Sequence, residues 1–177
     1  WINEWEYENN TLEITSAMHI VGRPDVPKEK IVVVGGIWFK PAIQGNCHMQ
    51  HLTLRQAKGN GVFGESSFTM EDVLVEQCGW NGVWAYGTGG VGQCTNVEVR
   101  QCGASGVLVE DGASITLIGA KTTVHHNCTR DCIGTYGLQV NHSSSTIQLV
   151  SPLTKDLVSI HNDGDGNWGG GLGGDIH

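Results

Sequence analysis

The sequence predicts an all-β fold: a parallel solenoid whose coils of about 21–25 residues stack on one another, with one longer insertion. Three observations carry this. Val73-Leu-Val-Glu-Gln-Cys78-Gly-Trp-Asn-Gly82-Val-Trp84 is answered 24 residues later by Val97-Glu-Val-Arg-Gln-Cys102-Gly-Ala-Ser-Gly106-Val-Leu108, with Val, Gln, Cys and Gly matched throughout. Within each repeat the apolar residues alternate, as in a strand with one face buried, and show no helical period. The chain holds 26 Gly and only 4 Pro, which suits many tight corners and excludes collagen-like or linker character.

Taken in order, residues 1–10 form a polar and aromatic lead-in without a period. Trp1, Trp5 and Tyr7 are suited to covering the first open coil. Strands begin at Thr11: Leu12 and Ile14 alternate, then Met18 and Ile20, before a turn at Gly22-Arg-Pro-Asp-Val-Pro27. Ile31 to Val34 reads as a buried strand ending at Gly35-Gly36, and Ile37 with Phe39 as the next short one. The later coils align on pairs of inward residues: Leu52/Leu54, Val73/Val75, Val97/Val99, Thr122/Val124 and Val158/Ile160. The last step is long because Cys128 to Thr135 is inserted before the chain resumes at Tyr136 to Val140, with a Ser-rich turn at Ser143 to Ser145. Residues 11–163 thus form the coils, and 164–177 a Gly-rich tail resembling an incomplete last coil. All 177 residues read as one domain, long enough for a continuous core.

The net charge of −8 argues against general nucleic-acid or anionic-membrane binding, both of which need basic surface. No apolar run approaches the roughly 20 residues of a membrane span. The chain opens on Trp1 rather than Met, which reads as a fragment or processed form of a longer protein and leaves the compartment open, with an extracellular, virion or cell-surface setting favoured.

The corners Asn60-Gly-Val, Asn81-Gly-Val and Ser105-Gly-Val, with the recurring Ile-Thr-Leu and Val-Glu-Val strands, resemble the right-handed parallel β-helix superfamily, the pectate-lyase-like fold. The resemblance covers roughly Leu12 to the C-terminus and implies a single-stranded right-handed β-helix, in keeping with the handedness of parallel crossovers. For activity it implies a range, since the superfamily hosts lyases, hydrolases, epimerases, phage and viral proteins, and domains without known chemistry.

Stacking at about 4.8 Å per coil turns the alignment into columns. The outward column is Arg55, Glu76, Arg100, His125 and His161. As a groove on acidic glycan, Arg100 would neutralise a uronate, and His125 or His161 would serve as acid or base. As a solvated face, Glu76 between two arginines is a self-neutralising ladder. The corner column, Gln56, Gln77, Gln101, His126 and Asn162, reads as a structural ladder of stacked polar side chains. The inward column is Ala57, Cys78, Cys102, Asn127 or Cys128, and Asp163, with Cys78 and Cys102 either bridged or packed as free thiols.

Other motifs are weaker. Cys128-Thr-Arg-Asp-Cys132 offers a loop disulfide, free thiols, or a metal site with His125 and His126, but lacks a zinc spacing. Asp163-Gly-Asp165-Gly-Asn167 starts like a calcium loop and fails at the sixth and twelfth places. Asn9, Asn127 and Asn141 head glycosylation sequons of the kind such a composition produces by chance. Trp80, Trp84 and Tyr86 suit sugar stacking or the filling of a corner. No threonine array suited to ice appears, since Thr53, Leu74, Glu98, Thr123 and Ser159 alternate in type.

The resulting expectation is a binding or structural β-helix module that contacts carbohydrate through Trp80, Trp84, Tyr86, Arg55 and Arg100, with no metal or other cofactor and no recognisable catalytic motif. The alternative is a lyase, hydrolase or epimerase on acidic polysaccharide, using the Arg100/His125/His161 face with Glu76. Only one carboxylate stands in that column where glycoside hydrolysis wants two. An open coil end would accept a cap domain or a second copy.

Overall fold

A computed structural model of the chain describes residues 10–130, 132–171 and 173–177. The strands run β1 (Thr11–Ile14), β2 (His19–Val21), β3 (Val32–Val34), β4 (Gly36–Phe39), β5 (Cys47–Arg55) and β6 (Val62–Gly64). They continue with β7 (Phe68–Glu76), β8 (Val83–Tyr86), β9 (Val91–Thr95), β10 (Glu98–Arg100), β11 (Val107–Glu110) and β12 (Ser114–Ile118). The last six are β13 (Thr123–His125), β14 (Leu138–Asn141), β15 (Thr146–Leu149), β16 (Ser159–Ile160), β17 (Trp168–Gly171) and β18 (Asp175–Ile176). A 3-10 turn at Lys28–Lys30 and one helical turn, α1 (Lys155–Val158), interrupt them.

The fold is all-β and its sheets are parallel. One sheet has seven strands in the order β1-β4-β6-β8-β11-β14-β17, and the other has eleven. The second sheet curls because β5 and β7 bend midway, at His51 (φ 54°) and Asp72 (φ 50°). Before the bend β5 pairs with β2, and after it with β3. The Val73/Val97 repeat is expressed directly in this register: Leu74 lies beside Glu98, Val75 beside Val99 and Glu76 beside Arg100. Inward columns such as Ile37, Val62, Val83, Val107 and Leu138 are buried in one continuous core.

The repeated Gln-Cys-Gly has a steric cause. A Cβ on Gly79 would run into the carbonyl oxygen of Lys58, and one on Gly103 into that of Gly79. The corner can approach the preceding corner this closely only without a side chain. The residue two places earlier, Gln77 or Gln101, takes φ 56°. The corner column is therefore a row of left-handed backbone turns, with one long amide link from Gln77 Nε2 to Gln101 Oε1 at 3.5 Å.

Several expectations are corrected. Ile31–Val34 is not a buried strand: Val32 and Val34 are exposed, because they lie beside outward-facing Thr53 and Arg55 while only Val33 lies beside inward Leu54. Leu12 lies beside inward Ile37 but is exposed because β1 is the end strand of its sheet. The last coil is offset by one residue. Val158 ends α1, so Ser159, not Val158 or Ile160, lies beside inward Val124, and Ile160 lies beside His125. The Gly-rich tail supplies β17 and β18, which extend both sheets in register. The lead-in aromatics Trp1, Trp5 and Tyr7, and the sequon at Asn9, lie outside the described residues. Asn127 is fully buried and donates through Nδ2 to the Val99 carbonyl, which removes it as a glycan acceptor.

Residues 22–31 form a strap over the outer face of β5 and β7, where Thr53 and Leu74 point away from the core yet are buried. Thr53 Oγ1 donates to the Lys28 carbonyl at 2.9 Å, and Lys28 Nζ meets Asp72 at 2.7 Å. His51 locks the strap: Nδ1 lies 2.6 Å from Asp72 Oδ2, and Nε2 lies 2.9 Å from the Val26 carbonyl. Both partners are acceptors, so only the doubly protonated ring satisfies both. Asp72, then the Val26 carbonyl, holds the His51 pKa above its ordinary 6.5, against burial and the nearby Lys28 charge. This contribution is complete below pH 6.5 and is lost as pH rises through the raised value. Burial pushes the Asp72 carboxyl up, but the hydrogen bonds from Lys28 and His51 outweigh it and lower the pKa, so Asp72 loses its contribution only in acid. Amide exchange across 22–31, corrected for intrinsic rates, is therefore expected to quicken as pH rises above 6.5 through the raised His51 value, and a His51→Gln variant to lose that dependence. Unchanged protection in wild type would show that the strap is held by other contacts.

Candidate functional site

The charged column stands on the outer face of the eleven-stranded sheet, where register aligns Arg55, Glu76, Arg100 and His125. Glu76 is its centre. Its carboxylate accepts from Arg55 Nε at 2.5 Å, from Arg100 Nε at 2.9 Å and from Arg100 Nη2 at 2.7 Å. Arg100 Nη1 turns to Glu98 Oε1 at 2.8 Å. Burial works against the Arg100 charge, yet Glu76 and Glu98 raise its pKa overall. Glu98 lies two residues before Arg100 on β10 and therefore on the same outward face.

Glu98 also reaches the next strand, β13, where the same Oε1 lies 3.2 Å from His125 Nε2. His125 Nδ1 is in turn 2.7 Å from His126 Nδ1. With both rings neutral, one proton arrangement satisfies the two contacts. His125 donates through Nε2 to the carboxylate, and its Nδ1 accepts from His126 Nδ1–H. The Nε2 of His126 then carries a free lone pair. The chain Glu98–His125–His126 ends in an exposed imidazole.

The one-residue offset of β16 moves His161. It stands not beside His125 but in the corner column, its ring 5.5 Å from that of His126. Asn162 becomes the inward residue, accepting from Asn127 N and Nδ2 at 3.0 Å each. The expected places of Asn162 in the corner column and Asp163 in the inward one are corrected accordingly.

The aromatic candidates lie elsewhere. Trp84 and Tyr86 are on β8 of the seven-stranded sheet, while Trp80 is on the preceding turn and 57% exposed. They do not share a sheet with Arg55, Arg100 and His125. Two rings not singled out from sequence join them: Trp38 packs on Phe63 at 5.4 Å, and Phe63 stacks on Trp84 at 4.4 Å. Tyr86 meets Trp84 edge-on at 5.7 Å and remains 37% exposed. Lys40 caps the Trp38 ring at 3.3 Å, and Trp38 Nε1 donates to Glu65 at 2.7 Å. Asp111 hydrogen-bonds the Tyr86 hydroxyl and, with Glu110 and Glu65 nearby, pushes its pKa up. The rows Trp38/Phe63/Trp84 and Tyr86/Glu110 follow from the 25-, 21- and 24-residue steps, so counting offsets along β4, β6 and β8 would have found them.

All six cysteines are free. Burial pushes the Cys94 thiol up to about 12, which makes it a packing group. Among the described residues no three His, Cys, Asp or Glu side chains are grouped to hold a metal ion, and no helix is long and apolar enough to cross a membrane. Asp165 accepts from the Gly134 amide across the insertion at 2.9 Å. Comparison with known proteins found no matching family model, no matching curated protein and no matching solved structure.

Proposed function

We propose that the parallel sheets form a single-stranded right-handed β-helix of the pectate-lyase-like kind, acting as a binding module for carbohydrate. The observation that carries the reading is the ring row Trp38–Phe63–Trp84, ending on half-exposed Tyr86 beside Glu110 and Asp111. Sugars are held by apolar ring surface set beside planar hydrogen-bonding groups, and this strip presents both. Trp84 has one face against Phe63, so Tyr86 is the ring offered to a ligand. The return of parallel strands at repeated offsets supports the β-helix.

The state of the arginines favours binding over lyase chemistry on acidic glycan. Arg100 commits Nε, Nη1 and Nη2 to Glu76 and Glu98, and Arg55 commits Nε to Glu76. A uronate would have to compete with both carboxylates for Arg100, the guanidinium that the lyase reading assigns to it. Calorimetric titration with neutral and uronate oligosaccharides is the test. Binding of a neutral glycan at millimolar ligand or below, weakened at least tenfold by Tyr86→Ala, is expected. No binding by any glycan, or binding indifferent to Tyr86→Ala, would overturn the proposal.

A further inference from the structure

We propose that His126 and His161 form an exchangeable site for a borderline divalent transition-metal ion of the Zn2+, Ni2+ or Cu2+ class. This goes beyond the carbohydrate reading and does not depend on it.

The backbone fixes both ring roots. His126 and His161 occupy left-handed corners with φ 54° and 52°, on adjacent coils joined by the His126 N–H to His161 carbonyl bond of 3.0 Å. Their ring centres lie 5.5 Å apart with planes 41° from one another, and both residues are exposed. Metal–nitrogen bonds of about 2.0–2.1 Å at a tetrahedral angle place the centres of two ligating imidazoles about 5 Å apart. The observed spacing of the ring centres is close to this value.

Proton placement supplies the second argument. With both rings neutral, the Glu98–His125–His126 contacts place the His126 proton on Nδ1 and leave Nε2 as a lone pair. A metal-bound histidine commonly donates its other N–H to a supporting acceptor. His125 is that acceptor here, itself oriented by Glu98. The charge on Glu98 is shared with Arg100, so the support is hydrogen-bonded rather than a strong local negative field.

Two imidazoles, with water completing the coordination, make a site that loads and releases its ion, unlike the closed sites that hold structural zinc. Imidazole donors favour Zn2+, Ni2+ and Cu2+ over Mg2+ and Ca2+. No spacing motif announces the pair, because 35 residues separate His126 from His161 and only the stacking of coils joins them.

The test is calorimetric titration of the full chain with ZnCl2, with the half-exposed Cys132 alkylated and the buried thiols left intact, alongside NMR of the histidine ring protons. One equivalent is expected to bind, shifting the His126 and His161 ring resonances first. His126→Asn and His161→Asn, which retain a residue tolerant of the left-handed corner, should each abolish binding. His125→Gln should weaken it about 10–100-fold, the cost of losing a supporting partner. Absence of zinc binding at millimolar ion, or binding unchanged in both asparagine variants, would overturn the site; the latter would place the ion elsewhere, at His19–His48 for example. Circular dichroism of each variant separates loss of site from loss of fold.

Discussion

Replacing Glu76 by alanine is expected to destabilise the fold by about 3 kcal/mol, the lower end of the cost of breaking a buried ion pair. The Glu76 side chain is only 4% exposed, and its two oxygens are the meeting point of Arg55 and Arg100 from the strands on either side. Alanine leaves two guanidinium groups stacked across the gap, repelling one another with no carboxylate between them. Each arginine side chain is 34% exposed, so water relieves part of the cost, which is why the lower end applies. Glu76→Gln keeps the volume and one acceptor oxygen and should fall between wild type and alanine. The pH dependence separates charge from packing. Burial raises the Glu76 pKa, but the hydrogen bonds from Arg100 and then Arg55 outweigh it and hold the pKa below its ordinary 4.5. Its contribution is therefore complete above pH 4.5 and lost as pH falls through the lowered value. Urea unfolding at pH 7 and in acid should show the glutamine variant converging on wild type as pH falls. A Glu76→Ala midpoint within error of wild type would reduce the ladder to surface decoration.

The Arg55–Glu76–Arg100 ladder was legible because it lies along a column. Once Val73/Val97 sets the step, the residue after each last inward position must stack on its counterpart, and alternating sign does the rest. Contacts that cross columns were not legible. Glu98 bridges Arg100 on its own strand and His125 on the next, a diagonal that depends on side-chain length and rotamer rather than register. Apolar alternation through Val158 and Ile160 imitates a strand that would set His161 beside His125, whereas a helical turn occupies Lys155–Val158 and delays the strand by one residue. The strap is not legible in the sequence because nothing in residues 22–31 repeats. Its lock, Lys28–Asp72–His51, joins residues whose pairing follows only from the bends at His51 and Asp72. The ring row was half legible: Trp84 and Tyr86 stood out as aromatic, but Trp38 and Phe63 join them only after counting back through β6 and β4.

Truncating Phe68 to alanine is expected to cost about 3–5 kcal/mol, the range for removing a buried phenylalanine from a core. Phe68 is 2% exposed and stacks on Phe39 with ring centres 5.6 Å apart and planes 16° from parallel. Its surroundings explain why the cost should not relax away. A Cβ on Gly64 would run into Phe68 Cε1, and one on Gly92 would lie 2.6 Å from Phe68 Cζ. The ring thus occupies volume that two glycines on neighbouring strands leave open. Those glycines have no side chains to rotate into the space, and their backbones are held by parallel pairing on both sides. The cavity must therefore remain, and cost rises with residual cavity volume. Phe68→Leu, which refills part of the space, should recover a substantial share. Gly92→Ala in the wild-type background should destabilise by overpacking, but in the Phe68→Ala background it should become neutral or stabilising, because the clashing ring is gone. Denaturant unfolding of the four proteins, wild type, each single variant and the double, reads out that coupling. Additive losses would mean that Phe68 and Gly92 do not share one volume, and that the core tolerates this position by collapse.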